Sequence, residues 1–199
     1  MEDRSGQEKL RVMLVDDSEA RSLVVRVMLE RLGYFVVAEV FEPRLLYDAV
    51  RRHQPDVIII DTDSPTRDTL EHIAMLSERE PRPIVMFSAD RDQQTIRAAV
   101  QAGASAYVVD GLAAERVEPV IAAAIARFES FQAVRRELAQ VRTKLSERKL
   151  VERAKGVLMK ARGMSEDEAY VALRGMAMER SISIGDLARQ LLSVSSLLV

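Results

Sequence analysis

The sequence predicts a doubly wound α/β domain with a five-stranded parallel sheet, followed by one long helix and a small all-α unit. Short apolar runs alternate with longer amphipathic runs from residue 10 onward. The apolar runs, such as "VIII" at residues 57–60, are hydrophobic at consecutive positions, which suits a parallel sheet covered by helices on both faces. The long helix is predicted because residues 113–162 contain one proline, Pro119, and no glycine before Gly156.

The elements of the α/β domain follow in strict alternation. The strands are expected at residues 10–15, 34–40, 56–60, 83–88 and 106–109, and the helices at residues 19–32, 43–53, 66–78 and 92–102. Each apolar run has the length of an ordinary strand, and each amphipathic run has a helical period. We therefore expect this domain to span residues 10–128.

A coiled-coil pattern lies within the long helix. Apolar residues recur there with a 3-4-3-4 spacing, at Phe131, Val134, Leu138, Val141 and Leu145. This spacing is typical of a seam that pairs two helices, and Glu137 and Arg142 are placed for an ion pair between parallel partners. Residues 129–147 are thus predicted to be a coiled-coil linker that makes the chain a homodimer. The alternative is an ordinary helix packed on its own domain.

Residues 148–199 are predicted to form a three-helix unit that begins with the end of the long helix. Gly163 stands where the residue after a helix end belongs, and Ser165 to Glu168 have the form of a capping box. The second helix runs to about Glu179. A third carries apolar residues on one face between positions 184 and 192.

Composition excludes several kinds of chemistry and location. The 199 residues include no cysteine and two histidines, so disulfides, thiolate metal sites and cysteine nucleophiles are excluded. The first residues are polar, and no apolar run approaches the ~20 residues of a membrane span, so we expect a cytoplasmic protein with no membrane partner. The formal net charge of −2 hides a basic segment, because residues 128–162 hold ten Lys or Arg against four Asp or Glu.

Acidic and hydroxyl side chains stand at the predicted ends of the strands. In a doubly wound parallel sheet these ends meet at one edge, where ligands bind. The side chains expected there are Asp16, Asp17, Asp61, Asp63, Ser88, Tyr107 and Asp110. Oxygen-only ligands of this kind suit Mg²⁺.

This set of residues, in this order on these strands, resembles the receiver domain of two-component response regulators, which has a flavodoxin-like fold. The resemblance implies that Asp61 is the phosphoacceptor and that Asp16 and Asp17 hold Mg²⁺ together with it. It also implies that Ser88 and Tyr107 respond to the phosphoryl group. Mg²⁺ is the one cofactor that the resemblance suggests, and none is expected to be required.

Asp110 departs from the receiver pattern. Receivers that switch by phosphorylation carry a lysine at this position, whose ammonium neutralises the phosphoryl oxygens. A phosphoryl group on Asp61 would add negative charge among carboxylates, which costs energy unless a cation intervenes. We therefore predict a pseudo-receiver in which phosphorylation is not the main switch. The alternative is that Mg²⁺ and another side chain make up for the lysine.

Cations and one glycine form a stripe near the end of the long helix. Lys149, Arg153, Gly156 and Lys160 recur at helical spacing, with Lys155 and Arg162 beside them. A glycine among cations would let a phosphate backbone or a splayed base approach the helix closely, and the cations would supply salt-dependent attraction. The alternative is a solvated face in which Gly156 accommodates a packed helix.

The segment "ERAKGVLMKARGMSEDEAY", residues 152–170, resembles the signature of the ANTAR family of RNA-binding transcription antiterminators. The resemblance implies that the helical unit binds paired hairpins in leader RNA, reads bases exposed in their loops and prevents a terminator from forming. Loop bases are accessible to side chains, whereas the edges of paired bases in the deep major groove are not. The expected RNA contacts are Arg153, Ala154, Lys155, Gly156, Lys160, Arg162 and Tyr170. An aromatic residue at position 170 is equally typical of a helix core.

The whole chain is similar to the NasT-type antiterminators of nitrate assimilation, which combine a receiver-like domain, a coiled coil and an ANTAR module. The segments that carry this similarity are "DTDSPTRDTLE", "RPIVMFS", "SAYVVDG" and "ARFESFQA". It implies a separate cytoplasmic nitrate or nitrite sensor, NasS-like, that holds the antiterminator inactive until its ligand arrives. Control by such a partner would explain why Asp110 is tolerated.

Two other classes of function fit the sequence less well. A phosphorylation-dependent DNA-binding response regulator would present several polar or basic residues on a recognition helix. Residues 184–192 offer only Asp186, Arg189 and Gln190 around an apolar core. An enzyme in the strand-end crevice would lack histidine, lysine and a glycine-rich phosphate loop, so we expect no enzymatic activity.

Overall fold

The computed structural model describes residues 9–109 and 111–195 of the chain. The chain divides into two compact units, residues 1–132 and residues 133–199. Asp110 falls outside the described residues, so the prediction made for it stays a prediction.

The first unit is the predicted doubly wound α/β domain. Its parallel strands are β1 (Arg11–Asp16), β2 (Phe35–Val40), β3 (Val57–Thr62), β4 (Ile84–Ser88) and β5 (Ala106–Val109), in the spatial order β2-β1-β3-β4-β5. The helices between them are α1 (Glu19–Arg31), α2 (Leu46–His53) after a 3₁₀ turn at Pro43–Leu45, α3 (Arg67–Arg79) and α4 (Gln93–Ala102). The prediction of fold class is confirmed.

The predicted bounds of the elements differ from the structure by at most two residues, except that α2 begins three residues later than expected, after the 3₁₀ turn at Pro43–Leu45. Helices α3 and α4 each begin one residue later than expected because Thr66 and Asp92 are N-caps. Their side-chain oxygens accept the backbone N–H groups of Thr69 at 3.1 Å and Thr95 at 2.9 Å. Each cap supplies a partner to a backbone donor that the first turn of a helix leaves unpaired.

Helices cover both faces of the sheet. Helix α1 and the start of the long helix pack on one face through buried residues such as Leu29 and Val117. Helices α2, α3 and α4 pack on the other through residues such as Val50 and Ile73. The central strands are therefore buried on both sides, which explains their consecutive apolar residues. Each fully buried aliphatic side chain stabilises the fold by roughly 1.5–3 kcal/mol.

The long helix, α5 (Ala114–Arg162), runs for 49 residues without a break. Gly163 follows it in the left-handed conformation, with φ of +67°, where any other residue would be strained. Ser165 and Glu168 form both hydrogen bonds of the predicted capping box. Among the described residues, no helix combines the length and apolarity needed to cross a bilayer.

The second unit is built from the end of α5 and two further helices, α6 (Glu166–Glu179) and α7 (Ile184–Ser195). Its core contains one leucine from each helix: Leu158, Leu173 and Leu187. Small residues such as Ala154 and Ala169, neither of them exposed, complete this core. Each helix contributes one apolar stripe, as its sequence pattern predicts.

The predicted coiled-coil seam of α5 is largely exposed. The exposed fractions are Phe131 60%, Val134 62%, Leu138 48%, Val141 56% and Leu145 54%. A helix packed on its own domain would bury such a stripe, so this exposure disagrees with the alternative of an ordinary packed helix. An unburied apolar stripe of this kind is available to a partner helix.

Candidate functional sites

Four predicted carboxylates come together at the ends of β1 and β3. Asp16 and Asp61 lie in register on the two strands and are buried, with 2% and 8% of their surface exposed. Asp17 and Asp63 follow on the loops, and their side chains are 63% and 86% exposed. Together with Ser88, Asp61 and Asp63 line an open crevice of about 550 Å³. The cluster expected from the strand ends is present.

Arg21, in the first turn of α1, lies in the middle of this cluster. Its guanidinium donates to Asp16 from Nε at 3.1 Å and from Nη2 at 2.9 Å. Nη1 donates to Asp63 at 3.1 Å, and Nη2 also donates to Asp17. Nε is 3.6 Å from the nearest oxygen of Asp61. One cation of the chain therefore contacts all four carboxylates, and it was not among the residues predicted from the sequence.

The cluster changes the proton affinity of two of its members. Burial raises the pKa of Asp61 to about 6, although the Arg21 guanidinium opposes this rise. The hydrogen bond to Asp16 is the main cause that raises the pKa of Arg21 above its ordinary value. Arg21 is thus a permanent cation, whereas Asp61 changes its charge close to neutral pH.

Replacing Asp61 by Asn is expected to change how stability depends on pH. The native state keeps the Asp61 proton up to about pH 6, whereas an unfolded aspartate releases it near ~3.9. Between these values the native state binds more protons, so the contribution of Asp61 to stability falls as pH rises. Asp61→Asn should therefore gain stability relative to wild type from pH 4 to 7, by less than about 3 kcal/mol because solvent screens the open crevice.

Urea denaturation at several pH values measures this difference in the free energy of unfolding. Asp48→Asn, at an exposed position of α2, is the matched control. The difference between its free energy of unfolding and that of wild type should stay nearly constant across the same pH range. A difference between Asp61→Asn and wild type that stays constant from acid to neutral pH would contradict the raised pKa.

The carboxylates do not fit a metal ion in this arrangement. Their oxygens are of the type that Mg²⁺ prefers. However, no group of three or more His, Cys, Asp or Glu among residues 9–109 and 111–195 is placed to hold a metal. Arg21 lies among the oxygens of Asp16, Asp17 and Asp61, the expected Mg²⁺ ligands. The positive charge next to these carboxylates therefore comes from the chain itself.

The two predicted switch residues that are described both bond to the loop after β4. Ser88, 1% exposed, donates to the carbonyl oxygen of Asp63 at 2.9 Å and accepts the N–H of Asp90 at 3.1 Å. Tyr107 is partly buried and donates its hydroxyl to the carbonyl oxygen of Asp90 at 3.0 Å. Both hydroxyl protons are therefore engaged by backbone carbonyls, that of Ser88 in the loop after β3 and that of Tyr107 in the loop after β4.

The stripe of cations near the end of α5 faces away from the core of the second unit. We call this stripe the basic face, and its members are Lys149, Arg153, Gly156 and Lys160. The core side of α5 is lined by residues such as Val151 and Leu158. At 100° per residue, the basic face falls on the opposite side of the helix. Its three cations are exposed, and none makes an ion pair within the described part of the chain.

Gly156 lies in the middle of the basic face with open space around it. A Cβ atom placed there would meet no heavy atom within 4 Å. The alternative in which Gly156 accommodates a packed helix is therefore contradicted for the described residues. A glycine inside a helix costs about 1 kcal/mol relative to alanine, and packing gives no reason for it here.

Two predicted RNA contacts, Ala154 and Lys155, are buried in the structure. Ala154 has no exposed surface and belongs to the core of the second unit. Lys155 is 7% exposed, and its Nζ donates to Glu152 at 2.8 Å and to Glu166 at 2.7 Å. The hydrogen bond to Glu152 is the main cause that raises the pKa of Lys155, and the bond to Glu166 adds to it. In return, the bond from Lys155 lowers the pKa of Glu166. Lys155 joins α5 to the first turn of α6 and is not a surface cation.

The remaining two predicted RNA contacts are exposed but lie outside the basic face. Arg162 is the last residue of α5. Tyr170 lies on α6 and is 44% exposed, which contradicts its placement in the core. The exposed residues Val171, Arg174 and Met178 fall on the same side of α6 by helical spacing. This second surface combines an aromatic ring, apolar side chains and one cation.

Two protein families match the chain in succession. Residues 12–121 match the response regulator receiver domain, and residues 139–192 match the ANTAR domain. The chain belongs to the response regulators that join a receiver domain to an ANTAR domain. The resemblances to both families are confirmed, and the ANTAR match begins within the segment predicted as a coiled-coil linker.

Individual relatives support this assignment. The transcriptional regulatory protein PdtaR of Mycobacterium tuberculosis is 31% identical over 182 residues, which are 92% of this chain and 89% of PdtaR. A nitrate regulatory protein of Klebsiella oxytoca is 48% identical over 61 residues, 31% of this chain and 15% of that protein. The signal receiver domain of NarL from M. tuberculosis has a TM-score of 0.52 and 28% identity, covering 59% of this chain and 98% of that domain. PdtaR is thus similar along almost the whole of this ANTAR response regulator.

Proposed function

We propose that this ANTAR response regulator is a transcription antiterminator that binds two hairpins in leader RNA through the basic face of α5. The observation that carries the proposal is a row of exposed cations that form no ion pair with residues 9–109 and 111–195, and at its centre a helical glycine that no packing contact in these ranges requires. Membership of the ANTAR family supports RNA as the ligand.

The basic face has the chemistry to hold a folded RNA strand. Lys149 and Lys160 are separated by roughly 16 Å along the helix at 1.5 Å per residue, so the face can reach several phosphates. The gap at Gly156 leaves room for an unstacked base against the helix backbone. Tyr170 of α6 offers a ring of the kind on which loop bases stack. Phosphate contacts would supply affinity, and the gap and ring would favour looped over paired nucleotides.

Dimerisation through the exposed seam would place two ANTAR units on one RNA. The seam is self-complementary, and Glu137 and Arg142 lie at positions suited to an ion pair between parallel chains. A dimer that holds two hairpins on one strand gains affinity without any new contact, because the second hairpin binds within the same complex.

Control is proposed to come from a partner protein rather than mainly from phosphorylation of Asp61. Arg21 already provides the cluster with a cation, and the sequence carries aspartate at position 110 where switching receivers carry lysine. The likeness to a nitrate regulatory protein supports a role in nitrate or nitrite assimilation. The proposed partner is a cytoplasmic NasS-like sensor, and the chain itself is proposed to be cytoplasmic and to catalyse no reaction.

The alternative function is that of a phosphorylation-dependent DNA-binding regulator. Helix α7, the candidate recognition helix, gives this function little support. Arg189 is the one basic residue among positions 184–192. Its Nη1 is paired with Asp186 of the same helix at 2.6 Å. A recognition helix reads base edges with side chains that are free to reach them. Helix α7 therefore presents few groups for reading the major groove.

Gly156→Ala separates the function of this glycine from its effect on stability. The test ligand is a two-hairpin RNA, meaning two stem-loops on one strand, selected by binding to the wild-type protein from a pool with random loops. The variant should gain up to about 1 kcal/mol in the free energy of unfolding, because alanine favours the helix and no atom opposes the new methyl group. The same methyl group should weaken RNA binding by about tenfold or more, equal to ~1.4 kcal/mol.

Gly175→Ala is the matched control, since this helical glycine of α6 also has nothing within 4 Å of an added Cβ. It should stabilise the protein similarly and leave RNA binding nearly unchanged. Urea denaturation and fluorescence anisotropy measure the two effects. If both variants bind the two-hairpin RNA as wild type does, the basic face is not the RNA site.

A further inference from the structure

Arg21 occupies the position among the strand-end carboxylates where a divalent cation would act. We propose that its guanidinium is a built-in cation that keeps Mg²⁺ and similar ions out of the crevice. The charge of the acidic cluster would then not depend on the divalent cations in solution. This inference concerns the first unit alone and does not depend on RNA binding.

The geometry of the guanidinium fits the role of a fixed counterion. Its donors reach both oxygens of Asp16, with Nε at 3.1 and 3.2 Å and Nη2 at 2.9 Å from the nearer oxygen. A planar guanidinium that forks onto a carboxylate is held more rigidly than a lysine ammonium would be. Asp16 is buried and the Arg21 side chain is 30% exposed, so the contact is shielded from water on the Asp16 side.

Local hydrogen bonds hold Arg21 in place. Ser18 caps α1 by accepting the backbone N–H of Arg21 at 3.4 Å. The N–H of Ser18 in turn donates to Asp16 at 2.8 Å. The carboxylate of Asp16 therefore fixes both the start of the helix and the guanidinium that follows one turn later. Helix α1 begins where β1 ends, and this directs residue 21 across the strand ends.

A divalent ion would have to displace this cation before it could bind. Mg²⁺ requires near-octahedral oxygen ligands at about 2.0–2.1 Å. Asp16 and Asp61 are the buried carboxylates of the cluster, and the guanidinium lies within 3.6 Å of both. An ion placed between them would stand next to a like charge, and the repulsion at this short distance opposes its binding. Asp17 and Asp63 are exposed and give an ion no closed site of their own.

Binding of Mn²⁺ to the full-length protein, followed by electron paramagnetic resonance of the free ion, tests the proposal. Wild type should bind no Mn²⁺ specifically up to millimolar concentration. Arg21→Met removes the guanidinium while keeping much of its apolar stem, and it should create one site at least about tenfold tighter than any in wild type. Arg31→Met, which removes a cation from the other end of the same helix, should behave as wild type.

Two results would overturn the proposal. The first is one Mn²⁺ bound to wild type with a submillimolar dissociation constant. The second is a folded Arg21→Met protein that binds no more Mn²⁺ than wild type, since the guanidinium would then not be what excludes the ion. Circular dichroism establishes folding. Arg21→Gln, which keeps a donor for Asp16, replaces the methionine variant if that variant unfolds and is judged by the same two results.

Discussion

Replacing Lys149, Arg153 and Lys160 together by alanine is expected to weaken binding of the two-hairpin RNA by about a hundredfold or more at physiological salt. Each cation that contacts a phosphate releases counterions, so the slope of log K against log salt should fall by roughly 2 to 3. Alanine is a strong helix former, and none of the three side chains makes an ion pair within the described residues, so the fold should persist. Anisotropy titrations at several salt concentrations measure both the affinity and the slope.

The matched control removes three exposed arginines of the receiver domain, Arg51, Arg52 and Arg79. It changes the net charge by the same amount but leaves the basic face intact. Its salt slope should equal that of wild type. If the two triple variants lose the same affinity, RNA responds to the overall charge of the protein and the basic face has no special role.

Leu138→Asp is expected to dissociate the homodimer. Leu138 is 48% exposed in the single chain, so a charge there should leave each chain folded. In a paired seam the same side chain would be buried at the centre of the contact, where an unpaired carboxylate is costly. Affinity for the two-hairpin RNA should fall by about 10²- to 10⁴-fold with the loss of avidity, while affinity for a single hairpin should hardly change.

Sedimentation equilibrium measures the oligomeric state, and anisotropy measures the two affinities. Gln140→Asp is the control, because it adds the same charge to an exposed position of α5 outside the seam. A wild-type protein that is monomeric with and without RNA would contradict the dimer. A Leu138→Asp variant that remains dimeric would also contradict dimerisation through this seam.

The sheet and its acidic edge could be predicted from the sequence because both depend on local patterns. Consecutive apolar residues indicate a strand buried on both faces, and the order of elements along the chain indicates a parallel sheet whose strand ends meet at one edge. Asp16 and Asp61 directly continue such runs, and the structure places them in register. Their proximity follows from topology alone.

The contacts of Arg21 could not be predicted in this way. They depend on the direction in which α1 leaves β1 and on the conformation of a long side chain. The available signal was the position of Arg21 in the first turn of the helix that follows the acidic pair. A helix that starts at the edge of a parallel sheet places its first turn beside the strand ends, so a cation there is a candidate counterion for them.

Lys155 shows the limit of helical periodicity. The spacing of residues gives the angle at which each one leaves the helix, but not the width of the arc that neighbouring helices cover. The first turn of α6 also covers the side of α5 that carries Lys155, and its Glu166 binds the Lys155 ammonium. For Gly156 the sequence allowed two interpretations, a role in packing or a gap in the helix surface. The positions of the neighbouring helices leave open space beside it, which favours the gap.

Competition between the two-hairpin RNA and a loop-closed RNA tests most directly whether the basic face binds looped-out nucleotides. In the loop-closed RNA, complementary strands pair every loop nucleotide while the stems are kept, so this competitor carries more negative charge than the two-hairpin RNA. Duplex DNA of equal length serves as a second competitor. If the basic face binds looped-out nucleotides, unlabelled two-hairpin RNA should displace the labelled RNA at concentrations about a hundredfold lower than either competitor, equal to ~2.7 kcal/mol. Equal displacement by all three would show that the protein recognises only negative charge and would contradict recognition of RNA loops by the basic face.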